Sequence, residues 1–414
     1  MSRLFLLTNS YPFGKGEDFI TAELPFAQEF DPSFTIISTH ANGQPLTKEV
    51  PEGTQVIALQ DGDGKPSLAA YLGLLAKPYV IGELFSLLKK GLFTPARAHA
   101  ALYFARKSAR IEDQIKTLCW DQKEDIILYS YWLYDAALAA ARLAKRLRKQ
   151  GCRVTLLSRA HGFDLYPARN KLHYLPFRRQ LFHQEEAVFP CSAKGTQFLQ
   201  QAYPGQANKI HTSYLGTAPG GMSAAKAPFH LVSCSNLLAV KRLDLLINAL
   251  KLIDFPLKWT HMGDGELREE LGRQTAALPP HIDVCFCGQI SNQEVRDFYQ
   301  SASPSAFINV SSSEGLPVTI MEAASFGLPV IATDVGGNAE GVMDGQSGVL
   351  LPAAPSPNEV AEAITRLYKM KEHDYRNTCL ASLKLWEEKF DAQSNYKAFY
   401  QSIGEIAANK GVWS

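Results

Sequence analysis

The 414-residue sequence predicts an α/β protein built from two doubly wound domains, and three observations carry that reading. Strand-like apolar runs alternate with helical stretches from the first residues onward, the arrangement that yields a largely parallel sheet covered by helices. The alternation breaks once, in a segment of small residues, and then restarts. Length favours two domains over one or three. With 46% hydrophobic and 20% charged residues, no segment is poor enough in apolar side chains to read as disordered.

The first domain, residues 1–220, opens with the strand "RLFLLTN", the loop "SYPFGKGED", the helical stretch "FITAELPFAQEF" and the strand "FTIIST". Further strands are read at "QVIAL", "DIILYS", "VTLLSRA", "AVFPCS" and "KIHTSYLG" (209–216). The segment "GTAPGGMSAAKAP" (216–228) is rich in Gly, Ala and Pro and reads as a linker. The second domain, residues 226–390, has strands at "HLVSCSNL", "LKWTHMGDG", "IDVCFCG", "PSAFINVS", "PVIATDV" and "GVLLP", separated by helices such as "KRLDLLINALKLI". The final 40-odd residues lack strand patterning and proline, so they read as one or two amphipathic helices, with 391–414 returning toward the first domain. Two such sheets would turn the carboxyl ends of their strands toward a central cleft, where folds of this class bind ligands.

The formal net charge of +1 hides an asymmetry: through residue 225 there are 26 Lys and Arg against 19 Asp and Glu, and the remainder reverses the balance. The seven cysteines are odd in number and lack CxxC spacing, so they read as reduced core residues; Cys285 and Cys287 in "VCFCG" share one face of a strand. The N-terminal apolar stretch is too short for a signal peptide, and no run of about 20 apolar residues could span a membrane. The expected location is the cytoplasm.

The chemistry concentrates in "FINVSSSEGLPVTIMEAASFG" (307–327): a buried strand, a polar turn, and a helix opening near Pro317. A helix N-terminus at a strand's carboxyl edge suits phosphate. Glu322 falls on an apolar helix face, where an unpaired carboxylate would cost several kcal/mol. A lysine or a pair of ligand hydroxyls could satisfy it.

Glu314 and Glu322 form an E-x7-E pair followed by "FGLPVIATDVGGNAE". This whole stretch resembles the signature of nucleotide-sugar-dependent GT-B glycosyltransferases, in particular the retaining family 4 (glycosyltransferases group 1). The resemblance implies that Glu314 contacts donor-sugar hydroxyls, that Glu322 holds the ribose, and that backbone around Gly315, Leu316 and Val318 approaches the sugar or diphosphate. Upstream, "LVSCSNLLAVKRLDLLINAL" occupies the place of the family's strand-turn-helix. Lys241 matches the lysine that neutralises the diphosphate; Asn236 stands where the family has arginine, and Arg242 where it has glycine, making Arg242 the candidate second cation.

"HMGDGELREEL" resembles the strand-end G-x-G, with Gly263 and Gly265, that shapes the nucleotide pocket; Gly288 and Gln289 end the next strand. In the first domain, the resemblance places His161 of "LLSRAHGFDLY" next to the donor sugar, with Asp164 orienting its loop. It also makes Gly14 and Gly16 candidates for close backbone approach beneath the donor. Tyr131 and Trp132 are candidates to line the acceptor side.

The implied activity is retaining, metal-independent transfer from a nucleotide-sugar to a glycan or lipid-linked acceptor in bacterial cell-surface polysaccharide synthesis. No cofactor is implied beyond the donor, which is a substrate. "DGDGKP" (61–66) reads as a surface turn rather than a metal loop. Residues 86–110 carry six Lys or Arg and no acid among apolar residues, a basic amphipathic pattern suited to anionic lipid at the inner membrane face. No nucleic-acid module accompanies it. The competing readings are a sugar-nucleotide epimerase of the same architecture and a non-catalytic partner subunit.

Overall fold

Six apolar runs in the first half of the chain become the strands of one parallel sheet. The computed structural model describes residues 2–14, 16–60, 68–118, 120 and 124–408. Its first sheet is formed by β1 (Ser2–Thr8), β2 (Thr35–Ser38), β3 (Gln55–Ala58), β4 (Asp125–Ser130), β5 (Arg153–Ala160) and β6 (Ala187–Pro190), in the order β3-β2-β1-β4-β5-β6. The intervening helices are α1 (Leu24–Phe30), α2 (Leu68–Leu75), α3 (Pro78–Lys89), α4 (Pro95–Ile115), α5 (Asp135–Lys149), α6 (Arg178–Gln184) and, after β6, α7 (Ala193–Ala202). α5 shows why this layer packs closely. Its buried face is largely alanine, which lets the helix approach the sheet, and Asp135 in its first turn and Arg146, Arg148 and Lys149 in its last suit the helix dipole.

The second sheet is formed by β7 (His230–Cys234), β8 (Leu257–Met262), β9 (Ile282–Phe286), β10 (Ala306–Asn309), β11 (Val330–Thr333) and β12 (Gly348–Leu351), in the order β12-β11-β10-β7-β8-β9. Its helices are α8 (Leu243–Leu250), α9 (Arg268–Thr275), α10 (Asn292–Ala302), α11 (Val318–Ser325), α12 (Pro357–Lys369) and α13 (Glu372–Lys389), and the last helix is α14 (Ala392–Ala408). Counted within each half, both sheets have the same strand order and all their strand pairs are parallel. These are two Rossmann-like units. The first holds residues to Cys191, Gly195–Ser213 and α14 from Tyr396 onward; the second holds Ser192–Lys194 and Tyr214–Asn395.

Four local expectations are corrected. Residues 209–216 form no strand, only a bridge of Ile210 to Val188. His211 and Ser213 donate to Val188 and Pro190, but Pro190 has no N–H to return a bond, so the ladder stops. Cys285, on β9, and Cys287, just after it, are exposed rather than core, because β9 is an edge strand; Cys152, Cys191 and Cys379 are buried. Residues 86–110 are not one helix but the end of α3, a turn, and α4, whose apolar face (Ala101, Phe104, Ala105, Ile111, Ile115) lies in the core. Pro317 is the residue before α11, in extended backbone, not its first helical residue. The "DGDGKP" turn and Cys119 lie outside the described residues. No helix among the described residues is long and apolar enough to cross a membrane.

Candidate active site

In the second sheet the chain reverses direction of winding between β7 and β10, which are neighbours with connections leaving to opposite sides. Such a switch point leaves room for a ligand at the strands' carboxyl ends. The loop after β7 delivers Lys241 and the loop after β10 delivers Glu314, and the two meet: Lys241 Nζ lies 2.6 Å from Glu314 Oε1. Asn309, at the end of β10, reaches the same oxygen through its side-chain amide at 3.3 Å and accepts the Ser311 N–H at 3.0 Å. Ser312 ties the two loops together by donating its N–H to the Val240 carbonyl at 2.8 Å. Glu314 is 7% exposed, so its position is set by these partners rather than by solvent.

The loop "SSSEGLP" is held in shape by the "VGG" that follows β11. Gly337 N–H donates to the Gly315 carbonyl at 2.5 Å. Gly336 has φ +54°, and a Cβ there would stand 1.8 Å from the Glu314 carbonyl oxygen. Only glycine allows this approach. Leu316 is buried beside Gly337, which anchors the turn and leaves the amides of Gly315, Leu316 and Val318 at the mouth of α11. Helix geometry gives the first amides of α11 no carbonyl partner within the helix, so this end attracts anions.

Glu322 lies on the second turn of α11 and is 4% exposed. Its Oε1 accepts from the Asn292 amide, the first residue of α10. It also neighbours Cys234 at the end of β7, whose thiol is pushed up to about 12 first by burial and then by this carboxylate. The buried carboxylate therefore faces strand ends and polar groups, while Ile320, Ala323 and Phe326 of the same segment fill the core. Asn292 and Asn309 were missed in the sequence. The capping box of Ser291 and Glu294 was a legible signal that α10 starts at Asn292, immediately after the β9 loop.

Around them the backbone is fixed by His261. Its Nε2 donates to the Ser235 carbonyl at 3.0 Å, so Nδ1 accepts from the Ser233 hydroxyl at 2.8 Å, and Trp259 donates to that hydroxyl. Burial holds His261 down to about 4, so it stays neutral. Gly263, φ +133°, donates to Gly288 O at 2.8 Å, and a Cβ on it would meet Ser235 O at 2.0 Å; a Cβ on Gly265 would meet Leu237 O at 2.7 Å. Asn236 is exposed between these contacts.

Arg242 has φ +50°, which explains why glycine suits this place in the family pattern. Its guanidinium donates to the carbonyls of Val310 (2.7 Å), Ser311 (2.8 Å) and Ala353 (3.0 Å). Through these contacts Arg242 clamps the β10 loop.

In the first unit, His161 follows β5 and is 8% exposed. Its ring stacks on Tyr131 (5.1 Å, 18°) and packs against Trp132 (4.5 Å). Neither ring nitrogen makes a hydrogen bond, and Nδ1 stands 3.9 Å from Asp164. Asp164 shapes the loop by accepting the N–H groups of His161, Gly162 and Leu133. Burial alone would raise its carboxyl, but His161 and Arg178 bring it below the ordinary value. Tyr131 is fully buried and so lines no open surface; Trp132 is partly buried.

The loop after β1 carries a feature the sequence did not suggest. Glu17, φ +57°, accepts the N–H groups of Asn9 (3.1 Å), Ser10 (2.7 Å) and Tyr11 (2.7 Å) and the Trp132 indole N–H (2.5 Å). Gly14, φ +61°, is fastened by bonds to Pro45, Thr47 and Lys48, and Gly16, φ +92°, faces open space. Among the described residues, no three His, Cys, Asp or Glu side chains form a metal-ligand set.

The family profile described as Glycosyl transferases group 1 matches residues 223–379, the stretch that carries Lys241, Glu314 and Glu322. The putative colanic acid biosynthesis glycosyltransferase WcaL of Salmonella typhimurium is 24% identical over 380 residues, 85% of this chain and 91% of the relative. The amylovoran biosynthesis glycosyltransferase AmsK of Erwinia amylovora is 26% identical over 290 residues, 65% of this chain and 68% of the relative. Among solved structures, Anabaena HepE in complex with UDP aligns with TM-score 0.68 over 98% of this chain and all of that chain at 16% identity. Sucrose-phosphate synthase from Thermosynechococcus elongatus aligns with TM-score 0.71 over 98% and 99% at 16% identity. These two likenesses establish the fold.

Proposed function

We propose that this chain, whose residues 223–379 match the profile of the glycosyl transferases of group 1 and which has a GT-B fold, is a retaining, metal-independent glycosyltransferase of bacterial cell-surface polysaccharide synthesis. The donor is a nucleotide-sugar and the acceptor a glycan or lipid-linked glycan. One observation carries the proposal: the switch point of the second sheet brings Lys241 and Glu314 within 2.6 Å beside the N-terminus of α11. The colanic acid and amylovoran relatives support the polysaccharide assignment.

In this reading Lys241 and the first amides of α11 receive the charge that develops on the departing nucleoside diphosphate, where oriented dipoles need no reorganisation. Glu314 positions the sugar hydroxyls, and its hydrogen bond from Asn309 keeps it in place as Lys241 turns to phosphate. Glu322, prepared by the Asn292 amide, takes the ribose diol. Gly263 and Gly265 let backbone approach the nucleotide. His161, with two ring nitrogens still able to bond, serves the reacting sugar. The enzyme works at the cytoplasmic membrane face, in peripheral contact with anionic lipid.

The test is a thermal-shift screen against nucleotide-sugars and nucleoside diphosphates, followed by turnover with the best donor in the presence of EDTA. We expect a stabilising donor, nucleoside diphosphate release that survives EDTA, and a new glycosidic bond whose anomeric configuration by NMR matches the donor. Interconversion of free nucleotide-sugars with no new bond would instead make it an epimerase.

A further inference from the structure

Helix α3 carries apolar residues on its solvent side as well as on its buried face. Its inner face is committed: Val80 lies in the first unit's core, Leu87 is buried, and Glu83 turns inward to accept the Tyr174 hydroxyl at 2.5 Å. The outer face carries Ile81, Phe85 and Leu88, spaced one helical turn apart and 53%, 65% and 58% exposed. A surface helix ordinarily puts polar residues there. The turn that follows adds Leu92 and Phe93, 42% and 44% exposed. Of the 14 large hydrophobic residues exposed among the described residues, eight fall between positions 72 and 103, so the exposure is concentrated rather than scattered.

The charge around this ridge has one sign. Lys77 precedes α3, and Lys89 and Lys90 end it; all three are exposed. From residue 77 to 110 the sequence holds seven Lys or Arg and a single acid, Glu83, which is buried. A second copy of the chain would bring the same positive ridge against this one and be repelled. An anionic bilayer offers both complements, an apolar layer for the ridge and phosphates for the lysines, whose long stems let the charge stay at the headgroups. At 12 residues, α3 is too short to span the bilayer, so the contact is interfacial.

We propose that Ile81, Phe85 and Leu88 of α3, with Leu92 and Phe93 of the following turn, insert into the interface of an anionic membrane while Lys77, Lys89 and Lys90 meet its headgroups. The inference rests on the peripheral-membrane reading above and moves the contact from α4, which makes up most of 86–110, to α3 and the turn after it, because the apolar face of α4 is already buried.

The test is co-sedimentation of the full chain with phosphatidylcholine vesicles, with or without roughly one-third phosphatidylglycerol. The wild type is expected to bind the anionic vesicles, with binding that weakens as salt rises. Phe85→Ser combined with Leu88→Ser should reduce the partition about tenfold or more. Lys89→Glu with Lys90→Glu should do the same and flatten the salt dependence. Leu252→Ser, which removes an equally exposed leucine from the second unit, should change nothing. Both α3 changes replace exposed groups, so the donor's thermal shift should persist and report intact folding. Wild-type binding that the α3 pairs leave untouched would overturn the assignment of α3 and keep the peripheral reading. Failure of the wild type to bind anionic vesicles would overturn both. A dimer on gel filtration that Phe85→Ser with Leu88→Ser dissociates would make a second copy the occupant and overturn the proposal.

Discussion

Both units wind six strands in the same order, yet they handle buried carboxylates in opposite ways. In the first, each is consumed by its own surroundings. Glu23 and Arg159 are both fully buried, 3.4 Å apart, with the Tyr129 and Tyr400 hydroxyls donating to the carboxylate and the guanidinium lying 3.9 Å from the Phe399 ring centre. Glu17 fills its own loop's amides, Asp164 does the same after β5, and Glu185 accepts the Ser158 hydroxyl at 2.7 Å. In the second unit, Glu314 and Glu322 are held at strand ends by a lysine and two asparagines. Those donors can exchange a carboxylate for a sugar or phosphate at little cost, which a fully buried arginine cannot. Burial of a charge is thus not the mark of a site; what marks it is a partner that a ligand can replace.

The largest effect should come from removing that partner. Lys241→Met is expected to lower donor turnover by about 100-fold or more, because a cation aimed at developing phosphate charge is lost. It should also lower stability, by on the order of 1 to 3 kcal/mol, because Glu314 is 8% exposed in this pair and would keep only the Asn309 amide. Isothermal titration with a nucleoside diphosphate should show weaker binding of the same variant. Unchanged binding and turnover would put the second unit's charges in the same structural class as the first's.

The contrast also explains what could be read in advance. The second site is written in contiguous sequence: Glu314, Gly315, Leu316, Val318 and Glu322 lie on one loop and helix, and Gly336 and Gly337 follow in the next loop, so local spacing carries the geometry. Both sheets were legible for the same reason, as strand runs and helical stretches are local patterns. Arg242 was not, because its clamp joins residues 68, 69 and 111 positions away. Glu23 was not, because its partners, Tyr129, Arg159 and Tyr400, come from distant elements, and neither was the bond from Trp132 to Glu17. The exposed thiols on and just after β9 were misjudged because a sequence does not say which strand is the edge.

A middle-sized effect tests the first unit. Glu185 is fully buried, and desolvation raises its carboxyl from 4.5 to about 8; Glu186 adds to the shift, while Ser158, Lys209 and Arg148 oppose it. The folded state therefore keeps a proton that the unfolded chain releases near 4.5. Stability is full below that value, declines as pH rises from there to about 8, and is then lower by on the order of a few kcal/mol. Glu185→Gln cannot ionise and should leave stability nearly unchanged at pH 5 while raising it at pH 8.5, read as the denaturant midpoint at the two values. Equal shifts at both would show that Glu185 titrates as an ordinary carboxylate.

The smallest effect concerns Arg242, which stands on the border of the comparison: a cation at the second unit's site that is bound like those of the first. Arg242→Gly suits the local φ of +50°, which an arginine adopts at a cost of about 1 kcal/mol. Against that gain stand three carbonyl bonds, one of them to an exposed loop, each worth about 1 kcal/mol. The net expectation is a loss of about 1 to 2 kcal/mol in chemical denaturation, with donor KM within about twofold because the β10 loop keeps its bonds from Asn309 and Ser312. A tenfold rise in donor KM without loss of stability would mean that the guanidinium leaves its carbonyls for the diphosphate. Arg242 would then belong with Lys241, as a charge whose present partners yield to the ligand.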